Sequence, residues 1–533
     1  MSLYKRIRKT KRNSQEKTAK EVDRQNIQEI GMPADSSLDR NLDYFRQQLE
    51  DADDVVYREM VIGSRHDLRA VLMYVDGMVD KDLVNHQILK SLMLDIRQAY
   101  DSVQTLKEDM YRILVKCSIT VGEISETQDL DQAILALLSG ETLFLLDGYA
   151  VVLKIATRGW PSRGVEEPPT ESVIRGPRDG FNETLRVNTT LIRRRIRDPR
   201  LKIKSLKIGQ RSQTDVVIAY IKDVVDPNVL NEVKNRLKDI KIDGIFESGY
   251  IEQLIEDNWL SPFPQVQNTE RPDEAAAALL EGRVAIIVDN TPFVLLVPTT
   301  LNSLFQSPED YYERWLIASA IRVLRFIAGA YSLILPALYI AVTSFNPGII
   351  PNRLVLSIAG SREGVPFPAY VEAIIMEVSL ELLREAGVRL PGPIGQTIGI
   401  VGGLIIGQAA VQAGIVSPIM VIVVAITAIA SFAIPSYNVA ISFRILRFAL
   451  ILAAAFLGLY GLVLGLLAII VHLATLKSFG VPYLPSFDKY NIKNFQDFVI
   501  RAPLMTMKQR PMFLEGRDKT RAQDERPEEK EAN

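Results

Sequence analysis

Carboxylates recur at helical spacing inside an apolar segment of this chain. Four glutamates, Glu372, Glu377, Glu381 and Glu385, lie among aliphatic residues between positions 370 and 387. At 100° per residue, the last three fall within an arc of about 80° on a helix. Carboxylates in or beside a bilayer normally face water, a partner or an ion path, because burying them in lipid is costly. The segment therefore predicts either an interfacial amphipathic helix whose acids face water, or an acidic vestibule that concentrates cations.

The next segment combines glycines at every fourth position with glutamines. The glycines are Gly395, Gly399, Gly403 and Gly407. This spacing lets another helix approach closely. The glutamines, whose amides find no water in lipid, should face other protein or an aqueous lumen; they are Gln396, Gln408 and Gln412. Two interpretations stay open: tight bundle packing with glutamine hydrogen bonds, or a pore-lining helix. In the second, the lumen-facing candidates are the glutamines with Ile394, Ile398 and Val401, and Glu372, Glu377 and Glu381 complete the predicted ion path.

Residues for metal or nucleophilic chemistry are sparse. Cys117 is the only cysteine, and the three histidines, His66, His86 and His472, are far apart in sequence. A zinc site and a Ser-His-Asp centre are therefore excluded as working hypotheses. The phosphate-binding pattern G-x-x-x-x-G-K-[ST] and the dinucleotide-binding pattern G-x-G-x-x-G after a strand are both missing from the soluble half. The sequence predicts no enzymatic activity, no cofactor and no metal.

Long stretches without ionisable side chains must position these residues. The longest covers the fifty residues from Ile394 to Phe443, and two more are Phe326–Phe345 and Phe448–Val471. Since a helix rises about 1.5 Å per residue and a bilayer core is about 30 Å thick, these stretches are long enough to span it. We expect four spans, 326–345, 394–413, 416–435 and 448–471, with the glutamate segment re-entrant or interfacial. Five spans are the alternative. With four, Arg444 and Arg447 lie on the side opposite the soluble half.

The soluble half is expected on the cytosolic side. Arg314, Arg322 and Arg325 precede the first apolar stretch, beside Trp315. Positive charge on that flank and an interfacial tryptophan both favour this orientation. The lone cysteine fits a reducing compartment. We divide the ends of the chain into a basic, disordered tail over 1–39 and a cytosolic C-terminal tail over 477–533.

An internal repeat organises the soluble half. Tyr74 and Tyr220 stand in matching contexts 146 residues apart, and a helix–Gly–strand block at Ala136 recurs 142 residues later at Ala278. Two matched blocks in the same order predict a duplicated unit of strands and helices. We therefore expect an α+β soluble half of two similar α/β subdomains, followed by an all-α transmembrane domain. The predicted boundaries are 40–157 and 185–300 for the subdomains, 158–184 for a Pro-rich linker, 301–325 for an amphipathic junction helix, and 326–476 for the transmembrane domain.

Three sequence blocks resemble a known family. The linker segment from Glu167 to Phe181 is similar to the signature linker of the A subunits of bacterial spore germinant receptors of the GerA type. Two further blocks, Ala278–Asp289 and Gly395–Ser417, also look like blocks of that family, and the resemblance covers about 40–485. The linker residues that carry it are Glu167, Pro168, Pro169, Arg175, Gly176, Pro177, Arg178 and Asp179.

The resemblance implies a function. It implies a subunit of a nutrient-sensing receptor in the inner spore membrane, working with a transporter-like B subunit and a lipoprotein C subunit. It also implies that A subunits assemble as a ring, taken to be a pentamer, which forms a ligand-gated channel for monovalent cations. Membrane lipid is an expected partner and nucleic acid is not. A sensor or scaffold without its own pore, a secondary transporter, and a sporulation-specific paralogue of the receptors are the alternatives.

Overall fold

Two five-stranded antiparallel sheets form the soluble half of the protein. The computed structural model describes residues 31–62, 68–95, 123–160, 167–168, 170–389, 403, 405–484, 497–510, 516 and 518–521. The first sheet has the spatial order β1-β2-β4-β5-β3. Its strands are β1 (Val55–Ile62), β2 (Leu68–Val75), β3 (Ile124–Thr127), β4 (Thr142–Leu146) and β5 (Val152–Ile155). The second sheet has the order β6-β7-β9-β10-β8. Its strands are β6 (Leu201–Ile208), β7 (Thr214–Ile221), β8 (Gln267–Thr269), β9 (Val284–Val288) and β10 (Val294–Val297).

The two sheets repeat one another. Their strand orders are the same when each strand of the first is matched to the strand five places later. The register is also the same, because Tyr74 pairs with Val56 and Tyr220 pairs with Lys202, each partner being the second residue of its strand. The predicted duplication is therefore confirmed in strand order and register. All strand pairs within both sheets are antiparallel, so each unit is an α+β fold.

Helices cover both faces of these sheets. Those of the first unit are α1 (Leu38–Gln48) and α2 (Leu130–Leu137), with two wide-turn helical segments at Leu83–Leu89 and Ser91–Asp95. Those of the second are α3 (Leu185–Arg195), α4 (Pro227–Asp239), α5 (Ser248–Ile255) and α6 (Pro272–Leu280). Sequence signals start them: the Asp226 side chain accepts the amide hydrogen of Asn228, and Pro227 occupies the first helical position of α4. Because helices lie on both sides, the central strand β9 is buried along its whole length.

A buried ion pair joins the two units. Arg193 of α3 donates from Nε and Nη2 to both carboxylate oxygens of Asp54, each at 2.8 Å, and both side chains are 1% exposed. The backbone continues the contact, since the amide of Asp53 donates to the carbonyl of Ile203 at 3.0 Å. The loop before β1 thus covers the free edge of β6, and the two units are held in one orientation.

The second half of the chain is helical. Its helices are α7 (Leu301–Phe305), α8 (Glu309–Tyr312), α9 (Trp315–Ser344), α10 (Asn352–Arg362), α11 (Ala369–Arg389), α12 (405–412), α13 (Pro418–Phe432) and α14 (Tyr437–Thr475). Two of those described, α9 and α14, are long and apolar enough to cross a membrane by length and composition. Helix α13, with 15 residues, is apolar but shorter.

Helix α14 folds back on itself at Gly458. This glycine has φ 58° and ψ −139°, a conformation outside the helical region. A Cβ atom placed on Gly465 would lie 2.5 Å from the side chain of Leu450, whereas the two residues would be about 22 Å apart in a straight helix. Helix α14 is therefore a hairpin of two antiparallel arms, 437–457 and 459–475.

Both ends of this hairpin contact the second subdomain. The Ser442 hydroxyl donates to the carbonyl of Pro262, and Ser261 Oγ lies 2.9 Å from Nε2 of His472. We call this the proximal end of the helical domain. The opposite, distal end is marked by the hairpin tip at Gly458, where an added Cβ would lie 2.7 Å from Phe345 at the end of α9.

Two expectations from the sequence are wrong on these contacts. Residues 448–471 do not form one span, because the chain reverses within them at Gly458. Arg444 and Arg447 do not lie opposite the soluble half either, because Ser442, in the same arm, bonds to the second subdomain. After α14 the chain returns to that subdomain through β11 (Lys477–Ser478) and β12 (Val481–Pro482), where Ser478 Oγ accepts the amide hydrogen of Thr299 at 2.9 Å.

The buried pair between the subdomains gives a stability prediction. Asp54→Ala should lower the free energy of opening of β1 and β6 by about 3–5 kcal/mol, because it leaves the Arg193 charge buried without a partner. Adding Arg193→Met should recover most of that loss. Native-state hydrogen exchange of the amides in β1 and β6 measures it. The matched control is Asp39→Ala, which breaks the exposed pair with Arg69 and should change the exchange little. Equal effects of the two alanine variants would contradict a stabilising role of the buried pair between Asp54 and Arg193.

Candidate functional site

Each predicted ion-path glutamate of α11 has an arginine partner within the chain. Glu372 Oε1 lies 3.1 Å from Nη2 of Arg362, and its Oε2 accepts the amide hydrogen of Ser417 at 2.8 Å. Glu381 lies 3.1 Å from Arg444 on α14 and 2.9 Å from Arg384 on its own helix. The glutamates therefore fix α11 against its neighbours, whatever else they do.

Glu377, like Glu372, is fully buried. Its Oε2 accepts a hydrogen bond from Nη1 of Arg447 at 2.7 Å, and both side chains are 2% exposed. Arg447 also donates to Ser332 Oγ of α9 at 3.2 Å. One ion pair thus ties together α9, α11 and α14. Charges removed from water in this way need each other, since either alone would carry its full desolvation cost.

The glutamines of α12 face away from the rest of the chain. Gln408 and Gln412 are exposed, and being four residues apart they share one side of the helix. Gly407 is buried on another side, where an added Cβ would lie 3.4 Å from Val421 of α13, whereas Gly403 is exposed. Gly407 therefore packs within the chain. The other predicted residues of this segment lie outside the described residues: Ile394, Gly395, Gln396, Ile398, Gly399 and Val401.

The linker motif is docked between the second subdomain and the helical domain. Asp179 accepts a hydrogen bond from Arg195 at 2.6 Å, and the carbonyl of Pro177 accepts one from Nη2 of the fully buried Arg271 at 3.0 Å. Glu167 lies 3.9 Å from Arg178 in an exposed pair. Pro168 is buried, and Pro169 lies outside the described residues.

The other contacts of the linker reach α8, directly before α9. The amide hydrogens of Ile174 and Arg175 are both donated to Oε1 of Glu309, the second at 3.3 Å. Gly176 has φ 145°, and a Cβ there would lie 2.8 Å from the ring of Tyr312, so a side chain at this position is excluded both by conformation and by contact. The linker therefore touches the segment that leads into the first long apolar helix.

One threonine hydroxyl joins two carboxyl groups beneath the linker. Thr269 Oγ1 lies 2.7 Å from Oε2 of the linker residue Glu171, 3.0 Å from Oε2 of Glu274, and accepts the amide hydrogen of Arg271 at 3.0 Å. A hydroxyl has one hydrogen to donate and two lone pairs. It can donate to only one of the carboxyls, so complete pairing requires a proton on the other. Complete hydrogen bonding of the docked linker therefore requires one bound proton.

The pKa values agree with this hydrogen count. Burial, followed by the neighbouring charge of Glu274, raises the pKa of Glu171 from 4.5 to about 8. Burial also raises the pKa of Glu274, against the opposing effects of Thr269 and Arg283. A glutamate freed into water loses its proton near pH 4.5, so between about 4.5 and 8 the docked state holds a proton that the released state lacks. Docking must weaken as pH rises through that range.

Charged residues also anchor the start of α9. Asp310 Oδ2 lies 2.8 Å from Nε of Arg322 and 3.0 Å from Nη1 of Arg325. Arg322 makes a second ion pair, at 2.7 Å, with Asp497 from the segment after the helical domain. Of the arginines that predicted orientation from the sequence, Arg322 and Arg325 are therefore buried anchors, and Arg314 is exposed. Sequence reasoning missed Glu171, Thr269 and Asp310, because their contacts depend on how separate elements pack together. Glu171 and Thr269, for example, are 98 positions apart. The density of charged residues around the linker is the only local signal.

Comparison with known proteins places this architecture in a family. A family model described as the Bacillus/Clostridium GerA spore germination protein matches residues 43–513. The chain belongs to the GerA family. It is 44% identical over 475 residues to spore germination protein GerLA of Bacillus cereus, covering 89% of this chain and 95% of that protein. It is 45% identical over 493 residues to spore germination protein KA of Bacillus subtilis (strain 168), covering 92% and 89% respectively. The resemblance inferred from the linker and the two further blocks is confirmed.

A solved structure matches the soluble half of this GerA-family chain. It is the crystal structure of the N-terminal domain of the A subunit of the Bacillus megaterium spore germinant receptor GerK3, with 34% sequence identity and a TM-score of 0.39. The match covers 50% of this chain and 96% of the other.

The shared proton predicts a pH dependence for the GerA linker. In the wild type, the melting temperature of the purified protein should fall between about pH 5 and pH 8, because Glu171 or Glu274 must lose the proton that docking needs. Glu171→Gln should flatten this dependence, since an amide keeps a hydrogen to donate at every pH. Glu167→Gln, in the exposed part of the same motif, is the control and should follow the wild type. A Glu171→Gln profile as steep as that of the wild type would contradict the shared proton.

The buried pair in the helical domain gives a second prediction. Glu377→Gln should destabilise the protein in detergent by about 3–5 kcal/mol, because the charge of Arg447 then stays buried alone. Combining Glu377→Leu with Arg447→Met removes both charges and should restore most of the stability. Thermal unfolding of the purified variants measures the difference. If the double variant is less stable than Glu377→Gln, the pair is not the main bond between these helices.

Proposed function

We propose that this protein is the A subunit of a nutrient-sensing spore germination receptor and forms, as a ring of identical chains, a ligand-gated channel for monovalent cations. The channel releases ions at the start of germination. The proposal places the chain in the inner spore membrane as a multi-pass protein with both soluble subdomains in the cytosol. Its partners are the B and C subunits of the receptor. The family assignment and the two long apolar helices support this proposal.

The observation that carries the channel is the exposed amide face of α12. Gln408 and Gln412 point out of α12, whereas α13 and α14 expose isoleucines, leucines and phenylalanines. In lipid, each amide would lose its hydrogen bonds with water, so this face needs water or a second protein surface. A ring of copies with α12 toward its axis supplies both. The glycines of the segment then allow close approach of helices.

A sensor or scaffold subunit without its own pore is the second candidate. It is favoured by the pairing of Glu372, Glu377 and Glu381 with arginines, since a paired carboxylate contributes little net attraction for cations. A secondary transporter has less support, because the one repeat recognised in the sequence belongs to the soluble half and not to the helices. The decisive question is therefore whether water and ions reach α12.

Cysteine labelling tests the channel. In a Cys117→Ser background, a membrane-impermeant, charged thiol reagent should label Gln408→Cys and Gln412→Cys, because both positions face an aqueous lumen. Ile429→Cys, on the exposed apolar face of α13, is the matched control and should stay unlabelled in lipid. Mass spectrometry of the protein from proteoliposomes measures the labelling.

Flux through the same variants links labelling to conduction. Val401→Ala, at a predicted lumen-facing position, should widen the ion path and give cation leak without a nutrient. Labelling of Gln408→Cys in this variant should reduce the leak. If the reagent labels the two positions but the cation leak does not change, the ion path lies elsewhere. Failure of both positions to react would leave the scaffold candidate, with α12 buried between copies.

A further inference from the structure

Trp259 and Leu260 are the most exposed large apolar pair at the proximal end of the helical domain. Their side chains are 79% and 72% exposed. They lie in the loop after α5 of the second subdomain, directly before the residues that bond to α14. A tryptophan has both an apolar ring and a polar N–H, and so favours the boundary between hydrocarbon and water.

The loop that presents them is internally fixed. The side chain of Gln265 accepts the amide hydrogen of Asn258 at 2.9 Å and donates to the Asn258 carbonyl at 2.7 Å. Asn258 in turn accepts the amide hydrogen of Leu260 through its side chain, at 3.1 Å. The exposed pair is therefore displayed by a closed, hydrogen-bonded loop and is not part of a loose segment.

The same loop is attached to both arms of the hairpin. Phe263 is buried, with its ring centroid 6.3 Å from that of Phe443 and 6.1 Å from that of His472. Ser261 Oγ lies 2.9 Å from Nε2 of His472, and Pro262 accepts a hydrogen bond from Ser442. The loop cannot move away from the ends of these arms without breaking these four contacts.

These contacts fix the level of the exposed pair. His472 follows Val471, the last residue of an uninterrupted apolar stretch, and so marks where the hairpin leaves apolar surroundings. Successive Cα atoms are about 3.8 Å apart, so Trp259 lies within about 8 Å of Ser261, which is bonded to His472. The headgroup layer on each side of a bilayer is about 5–8 Å thick. Trp259 therefore lies close to the end of the apolar stretch, where the proposed membrane would place its headgroup layer.

We propose that Trp259 and Leu260 form a lipid anchor by which the second subdomain inserts into the headgroup layer of the membrane. The anchor rests on the membrane location in the proposed function, and it is independent of whether the protein conducts ions. Continuity with the lipid-facing surface favours lipid over a second protein copy. Ile470 and Val471, beside His472, are both exposed, and the exposed Lys477 stands at the same end, as suits anionic headgroups. Lipid contact would hold the loop, and with it the hairpin, at a fixed depth.

The three tryptophans of the chain make the test direct. Trp160→Phe and Trp315→Phe leave Trp259 as the only tryptophan. The full chain is reconstituted in vesicles of phosphatidylcholine and phosphatidylglycerol, with bromine on the acyl chains either close to the headgroup or near the bilayer centre. Emission is then measured with each lipid, and with acrylamide added to the water.

Trp259 should lose most of its emission with bromine close to the headgroup, less with bromine at the centre, and little with acrylamide. Strong quenching by acrylamide alone would overturn the anchor and leave the pair in solvent. Protection from all three quenchers would also overturn it and assign the pair to a protein interface. Should the double substitution impair folding, Trp259→Phe in the wild type must reduce the emission that is sensitive to shallow bromine, and the remainder belongs to Trp315.

A separate reporter distinguishes failure of the anchor from failure of the membrane location. Phe456→Trp, with all three native tryptophans replaced by Phe, places one tryptophan on the exposed face of the hairpin. If brominated lipid quenches Phe456→Trp and not Trp259, the hairpin is embedded and the anchor is wrong. If brominated lipid quenches neither, the membrane location itself is wrong.

Discussion

The arrangement of this molecule depends on how charges are paired where a soluble fold meets an apolar helix. Asp310 forms ion pairs with two arginines of α9, Arg322 and Arg325, and so fixes the start of that helix. Its neighbours in α8, Glu309 and Tyr312, contact the linker motif. One helical turn thus fixes both the linker and the first long apolar helix. Because these charges are buried, displacing one of them leaves another unpaired at a high energetic cost. The junction therefore resists small displacements of the helix.

The pairing also restricts which parts can move. The two subdomains are clamped by Asp54 and Arg193 and by backbone hydrogen bonds to the edge of β6, so a cleft that opens and closes between them would break buried charges. The contacts of the linker are different in kind. They run through one carboxyl pair that shares a proton, the ring of Tyr312 beside Gly176 and a few hydrogen bonds. In the proposed receptor, a signal from the soluble half would therefore have its least costly route at the linker.

Much of the soluble fold follows from local patterns. The duplicated strands kept their order and nearly their spacing, so the paired offsets of 146 and 142 residues predicted two units of the same strand order. The hairpin in α14 could not be predicted, because Gly458 lies among apolar residues that fit a straight helix equally well. The ion pairs of α11 could not be predicted from the sequence either. Glu377 and Arg447 are 70 positions apart, and only the reversal at Gly458 shows which end of the arm Arg447 occupies.

The partners of the glutamates bear on how ions would pass through the proposed ring of such chains. Releasing Glu377 toward a lumen would leave Arg447 unpaired among three helices, and that cost opposes conduction along α11 unless water enters with the ion. An amide face carries no such cost. Gln408 and Gln412 offer oxygens that replace part of an ion's hydration without holding it tightly, and conduction needs binding weak enough to release the ion. In the proposed channel, the acids of α11 then serve to hold the bundle, and the neutral amides of α12 form the path.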